Sequence, residues 1–133
     1  MIDESFYDGY EGENEVVVYY NQDSEKIGFK IWNGYFDNLL SGCYNAEIHT
    51  DGLLICYQKQ DSFYDEQGWK IKNIDVVISE LEKYSDDQVE SQSSVMLSML
   101  SIVKDKLITL LEDAKKWKNC IYRLRLNIRL TNL

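Results

Sequence analysis

Residues 94–118 carry the longest apolar stripe in the chain, and this stripe is the strongest constraint on the fold. Its apolar side chains recur every three or four positions, a spacing that predicts one long amphipathic helix. The stripe consists of Met96, Met99, Leu100, Val103, Leu107, Leu110, Leu111, Ala114 and Trp117. Because a stripe this broad needs a large apolar surface to pack on, we expect the helix to lie against most of a β-sheet.

Six segments have the composition or the alternation of β-strands. They are residues 15–20, 26–32, 43–50, 53–60, 69–72 and 121–131. The first two are separated by a polar turn, and we expect them to form a hairpin. The third and fourth flank Asp51-Gly52, a dipeptide typical of a two-residue hairpin turn. In the last segment Leu or Ile alternates with Arg, Asn or Thr, which favours a strand. A continued helix is the alternative there, because Leu and Arg also favour helices.

A second, shorter helix is expected to begin after Asn73, which can cap it, and to end near Tyr84. The whole chain, residues 1–133, is therefore predicted to be a single α+β domain. In this prediction an antiparallel sheet of about five or six strands packs against one long and one shorter helix. Residues 1–14 are expected to form an acidic, aromatic arm or loop, and residues 121–131 a basic C-terminal strand.

The formal charge of −9 is unevenly distributed along the chain. Residues 1–90 carry 20 acidic and 6 basic residues, whereas residues 91–133 carry 3 acidic and 8 basic residues. The first 25 residues hold eight carboxylates and no Lys or Arg, and aromatic rings lie between them. Such a segment attracts a basic protein surface and repels nucleic acid and anionic membranes. We therefore expect a basic protein as partner, and neither nucleic acid nor a membrane.

The sequence contains no recognisable catalytic motif or phosphate-binding loop, so we expect a protein that is not an enzyme and uses no metal or cofactor. Glu47 and His49 would share one face of a strand and could support acid–base chemistry, but a lone His there is more often an exposed side chain. Three widely spaced cysteines, Cys43, Cys56 and Cys120, fit buried thiols better than a zinc site. Neither a signal peptide nor a membrane-spanning run is predicted, which favours a cytoplasmic location.

Arg123, Arg125 and Arg129 alternate along the last predicted strand. One interpretation is a basic stripe that binds phosphates. The other is that these side chains pair with acids on neighbouring strands, such as Glu15 or Glu47. We favour the second, because the acidic remainder of the chain would weaken the binding of a polyanion.

The tetrapeptide Ser-Phe-Tyr-Asp occurs twice, at residues 5–8 and 62–65. Each copy places aromatic rings beside carboxylates, a combination that supplies both contact area and electrostatic steering. We predict that the two segments converge on one side of the sheet as a partner-binding face. Its candidate residues are Asp3, Glu4, Phe6, Tyr7, Asp8, Tyr10, Glu11, Glu13, Asp61, Phe63, Tyr64, Asp65 and Glu66.

With residues 3–15 and 61–66 as its acidic, aromatic surface, the chain resembles in general character the immunity proteins of bacterial toxin systems. The resemblance implies that it binds and neutralises a cognate toxin with a basic, nuclease-like surface, as a monomer or homodimer. Three other functions fit the sequence. The first is a nucleic-acid mimic that blocks a host DNA-binding enzyme. The second is a structural or oligomerisation domain, in which the three arginines meet acids of another subunit. The third is a small enzyme that uses Glu47 and His49.

Overall fold

The computed structural model describes residues 1–44, 47–59, 69–116 and 125–129. These residues form strands, α-helices and one 3₁₀ turn at Asp86–Gln88. The strands are β1 (Ile2–Phe6), β2 (Glu15–Gln22), β3 (Glu25–Trp32), β4 (Trp69–Lys70) and β5 (Arg125–Arg129). The α-helices are α1 (Asn33–Ser41), α2 (Leu53–Lys59), α3 (Ile74–Glu82) and α4 (Ser94–Lys116).

The strands form one sheet in the order β1-β3-β2-β5-β4. β2 and β3 form the antiparallel hairpin that the sequence predicts, with Val16 opposite Ile31. β1 lies on the other side of β3 and runs parallel to it, with Ile2 opposite Gly28. β5 pairs with β2 in the antiparallel direction, and the two-residue β4 pairs with β5.

The predicted antiparallel sheet of five or six strands, packed against one long and one shorter helix, is wrong, although the α+β class fits. The sheet is mixed, because its three-stranded body β1-β3-β2 contains the parallel pair of β1 and β3. Among the described residues there are four α-helices instead of two. The acidic arm itself supplies β1, and carboxylates such as Asp3 and Glu4 concealed this strand because acidic residues are depleted in strands.

The second predicted hairpin is also wrong, because α2 occupies Leu53–Lys59, where the sequence favours a strand. A carboxylate oxygen of Glu80, in α3, accepts the backbone N–H of Leu53 at 2.7 Å and so caps the first turn of α2. Leu53 and Cys56 are then buried on one side of this helix. Asp51-Gly52 therefore precedes a helix, since a contact from a distant element outweighs the local turn preference.

The helices with strong periodic patterns lie where the sequence predicts them. α4 begins at Ser94, as expected, and follows the predicted stripe to Lys116; residues 117 and 118 lie outside the described part. The Oδ1 atom of Asn73 accepts the N–H of Val76 at 3.2 Å and caps α3, which confirms the predicted N-cap. α1 is a full helix although its segment contains Asn33, Gly34 and Asn38, residue types that are common in turns.

The helices pack on one face of the sheet. On that face Val16, Val18 and Ile31 are buried against apolar side chains of the helices. The helical part of this core includes Phe36, Leu39, Leu40, Val77, Leu81, Leu100, Val103, Leu107 and Leu111. Because side chains alternate along a strand, Val17 and Tyr19 lie on the opposite face. There a groove of about 200 Å³ is lined by residues of β1, β2 and β3.

Candidate protein-interaction site

The acidic arm, residues 1–14, is folded back on the sheet by β1 and a series of tight turns. Each turn is closed by a backbone hydrogen bond of 2.9–3.0 Å. The donor–acceptor pairs are Tyr7–Glu4, Tyr10–Tyr7 and Glu13–Tyr10. Gly9 and Gly12 have φ angles of 88° and 91°, which residues with a Cβ atom rarely adopt. The two glycines therefore allow the arm to keep turning between its aromatic residues.

Phe6 and Tyr7 anchor the arm, with 8% and 7% of their surface exposed. The Phe6 ring packs edge-on against Phe29, with 5.8 Å between the ring centroids. The Tyr7 hydroxyl donates to the carbonyl oxygen of Glu13 at 2.6 Å and closes the arm into a loop. These two rings hold the arm in place and offer almost no area to a partner.

Tyr10 joins the arm to the end of β3 through a cluster of three rings. Its ring stacks on Trp32 at a centroid distance of 4.0 Å and an interplanar angle of 6°. It also meets Tyr35, in α1, edge-on at 5.6 Å, and the two hydroxyl oxygens lie 3.3 Å apart. Burial, together with this hydrogen bond, raises the pKa of Tyr35 to about 12. Tyr35 is therefore uncharged at neutral pH.

Once its rings are anchored, the arm presents a set of exposed carboxylates that we call the acidic edge. The acidic edge consists of Asp3, Glu4, Asp8, Glu11 and Glu13. The pKa of Asp3 is lowered because the N–H of Ser5 donates to its Oδ1 atom at 2.9 Å. The pKa of Glu11 is lowered by backbone hydrogen bonds, including one from Gly9 at 3.2 Å. Both carboxyl groups are therefore ionised at neutral pH.

Lys30 is the cation that connects the acidic edge to the sheet. Its Nζ atom lies 3.1 Å from Oε1 of Glu4 and 3.4 Å from Oε2 of Glu15, and 5.5 Å from the centroid of the Tyr7 ring. Burial lowers the pKa of Lys30, but its hydrogen bonds to these carboxylates outweigh burial and raise the pKa overall. Beside it, an open groove of about 470 Å³ is lined by Glu4, Ser5, Tyr7, Asp8, Glu11 and Lys30.

The structure thus divides the predicted binding residues into three groups. The five carboxylates of the acidic edge are exposed, and Tyr10 is half-buried against Trp32. Phe6 and Tyr7 are anchors of the arm instead of contact surface. The second predicted segment lies outside the described residues, as does its convergence with the arm. Its members are Asp61, Phe63, Tyr64, Asp65 and Glu66.

The alternative site at Glu47 and His49 does not have the geometry that the sequence predicts. Both residues lie in a loop before α2 and not on a strand, and the His49 carbonyl accepts the N–H of Gly52 at 3.0 Å. Cys56 lies in α2 and not on a strand of a second hairpin. The Cys43 thiol is buried, and burial together with nearby Glu80 raises its pKa to about 12. This thiol is therefore a poor nucleophile at neutral pH.

Glu80 is the residue that sequence reasoning missed. It is 2% exposed, and its other carboxylate oxygen, Oε2, is buried without a hydrogen-bond partner. Burial raises its pKa, and the backbone hydrogen bond from Leu53 partly offsets that rise. A Cβ atom on Gly52 would lie 2.6 Å from Oε2, so the glycine makes room for the carboxylate. One signal was available: Glu80 stands on the apolar side of a predicted helix, between Val77 and Leu81.

Two of the three alternating arginines lie in the described part of the chain, on β5. The register of β5 with β2 places Arg129 opposite Glu15 and Arg125 opposite Tyr19. Arg129 and Glu15 are thus a base and an acid on neighbouring strands, and the pairing of their side chains stays a prediction. Arg123 lies outside the described residues.

Two findings concern metal ions and membranes in the described part of the chain. Its His, Cys, Asp and Glu side chains form no group of three that could hold a metal ion. None of its helices has the length and apolar composition needed to cross a bilayer. Comparison with protein-family models, with curated proteins and with solved structures finds no match for this chain.

Proposed function

We propose that this protein is a cytoplasmic inhibitor that binds and neutralises a basic, nuclease-like toxin, in the manner of an immunity protein. The observation that carries the proposal is the acidic edge: five exposed carboxylates on an arm that the rings of Phe6 and Tyr10 fix to β3 and that the Tyr7 hydroxyl closes into a loop. A pre-folded arrangement of charges complements a fixed basic surface better than a flexible acidic tail does. The reason is that less backbone conformational entropy is lost when a folded arm binds.

Charge and rigidity have separate roles in this mechanism. The net charge of −9 speeds the encounter with a basic partner, by about 10 to 1,000-fold at low salt. The pre-folded arm then presents three of its carboxylates, Glu4, Asp8 and Glu11, around the groove that Tyr7 and Lys30 also line. Dissociation is slowed where these charges are desolvated against basic side chains of the toxin.

A co-expression experiment tests the proposal. The partner is recovered by co-purification from the cells in which this protein naturally occurs, and is then produced in a sensitive host with and without the protein. We expect growth to be lost with the partner alone and restored by the wild-type protein. A partner that harms no cell, or whose toxicity the protein does not reduce, contradicts the proposal.

Two charge variants show whether the acidic edge is responsible. The acidic-edge variant carries Asp3→Asn, Glu4→Gln, Asp8→Asn, Glu11→Gln and Glu13→Gln. The matched control neutralises five exposed carboxylates elsewhere, with Glu82→Gln, Asp87→Asn, Glu90→Gln, Asp105→Asn and Glu112→Gln. Because both variants change the net charge equally, we expect protection to be lost in the first and kept in the second. Equal protection by the two variants would remove the acidic edge from the mechanism.

A further inference from the structure

The outer edge of β1 has backbone groups that can bind another strand. β1 is the outermost strand of the sheet, next to β3 alone. The N–H of Gly28 in β3 donates to the carbonyl of Met1 at 3.2 Å, so the backbone groups of Met1 point toward β3. Because these groups alternate in direction along a strand, those of Ile2 and Glu4 point away from the sheet.

The second half of this edge is closed by a contact within the arm. The carbonyl of Glu4, which would lie on this edge, accepts the N–H of Tyr7 at 2.9 Å. The register with β3 also shifts between Asp3 and Phe6, which bends the strand away from regular pairing. The groups left for another strand are the N–H and C=O of Ile2 and the N–H of Glu4.

The charges beside these groups select the kind of strand that can bind. Asp3 and Glu4 are both exposed, and as successive strand residues they flank the edge on opposite faces. A second copy of this chain would bring the same carboxylates close together, which is unfavourable between paired strands. A strand with Lys or Arg at alternating positions would instead place cations beside Asp3 or Glu4.

We infer that the outer edge of β1 accepts a short, extended, basic segment of the partner as an additional strand. Its main chain would bond to Ile2 and Glu4, and its cationic side chains would contact the acidic edge. Main-chain bonds provide affinity in this mode of recognition, and alternate side chains provide specificity. The inference rests on the proposed function, since it states how the acidic edge holds the partner.

Three synthetic peptides of alternating Lys and Val test this inference on the wild-type protein. The first is unmodified, the second has N-methyl groups on alternate residues so that one edge can still hydrogen-bond, and the third is N-methylated on every residue. All three carry the same charge. Affinity is measured by fluorescence anisotropy, and protection of the Ile2 and Glu4 amides by hydrogen exchange in NMR spectra.

Strand addition predicts that the first two peptides bind with similar affinity. The third should bind at least about fivefold more weakly, because methylation removes the peptide N–H that would donate to the carbonyl of Ile2, and a net hydrogen bond contributes about 1 kcal/mol. The unmodified peptide should also protect the amides of Ile2 and Glu4. Equal affinity for all three peptides, or no binding of the unmodified one, overturns the inference. The acidic-edge variant separates this inference from the proposed function. If the three peptides bind wild type equally but bind the variant more weakly, strand addition is wrong and the proposed function stands. If the peptides bind the variant as well as they bind wild type, the result counts against the acidic edge itself.

Discussion

Replacing Tyr10 with Ala should release the acidic arm from the sheet. The substitution removes the stacked contact with Trp32 at 4.0 Å, the edge-on contact with Tyr35 at 5.6 Å and the hydroxyl pair at 3.3 Å. Each aromatic pair contributes about 0.5–1.5 kcal/mol beyond its buried area, and a net hydrogen bond about 0.5–1.5 kcal/mol. Tyr10→Ala should therefore lower the free energy of unfolding by about 2–4 kcal/mol.

Urea denaturation followed by tryptophan fluorescence measures this change, with two controls. Tyr10→Phe keeps both ring contacts and should cost about 1 kcal/mol. Tyr44→Ala removes a tyrosine that is 49% exposed and should change stability by less than about 0.5 kcal/mol. Hydrogen exchange of residues 7–13 should accelerate in Tyr10→Ala alone. A loss no larger than that of Tyr44→Ala would refute the claim that this ring cluster fixes the arm.

The remaining predictions concern the groups that support the site. Lys30→Met should lower the free energy of unfolding by about 1–2 kcal/mol in urea denaturation, because it leaves the buried carboxylate of Glu15 without its cation. As a control, Lys116→Met breaks an exposed ion pair with Asp113 and should cost under about 0.5 kcal/mol. Equal losses in the two variants would contradict the role of Lys30. The raised pKa of Glu80 means that its stabilising contribution is full below the ordinary value of 4.5 and is lost as pH rises through the folded-state pKa. The stability of Glu80→Gln relative to wild type should therefore increase from about pH 4 upward, and a pH-independent difference in the denaturation midpoints would be evidence against it. Gly28→Ala should be strongly destabilising, by about 2 kcal/mol or more, because its Cβ would clash with the backbone oxygen of Val18 in β2. Gly9→Ala, which lies in open space but at positive φ, should cost only about 1 kcal/mol. Thermal denaturation that ranks the two variants in the reverse order would contradict the packing argument.

The parts of the fold that followed from the sequence are those whose pattern is set by local periodicity. The apolar stripe of α4 has a period that one helix satisfies without help from elsewhere. Asn73 caps α3 through a contact within the first turn of that helix. The hairpin of β2 and β3 likewise follows from β-branched and alternating residues. In these elements local preference and tertiary packing favour the same structure.

The remaining elements depend on distant contacts that local patterns do not report. α2 forms because Glu80, 27 residues away, caps Leu53, whereas Asp51-Gly52 favours a hairpin. β1 forms because an acidic segment pairs with β3, and no turn connects the two to reveal the pairing. The exposed carboxylates of the candidate site could be predicted from composition. The anchoring role of Phe6 and Tyr7 could not, because an aromatic ring beside an acid has the same sequence pattern whether it faces the core or the solvent.

The association rate of the partner, measured against salt concentration, tests the central claim most directly. Stopped-flow measurements would compare the wild-type protein, the acidic-edge variant and the matched control. We predict a rate that falls steeply with salt for wild type, and a slope close to wild type for the control. The acidic-edge variant should be at least about tenfold slower at low salt, with a much flatter slope. Identical salt slopes for the two variants would contradict the claim that the ordered acidic edge is the surface that meets the partner.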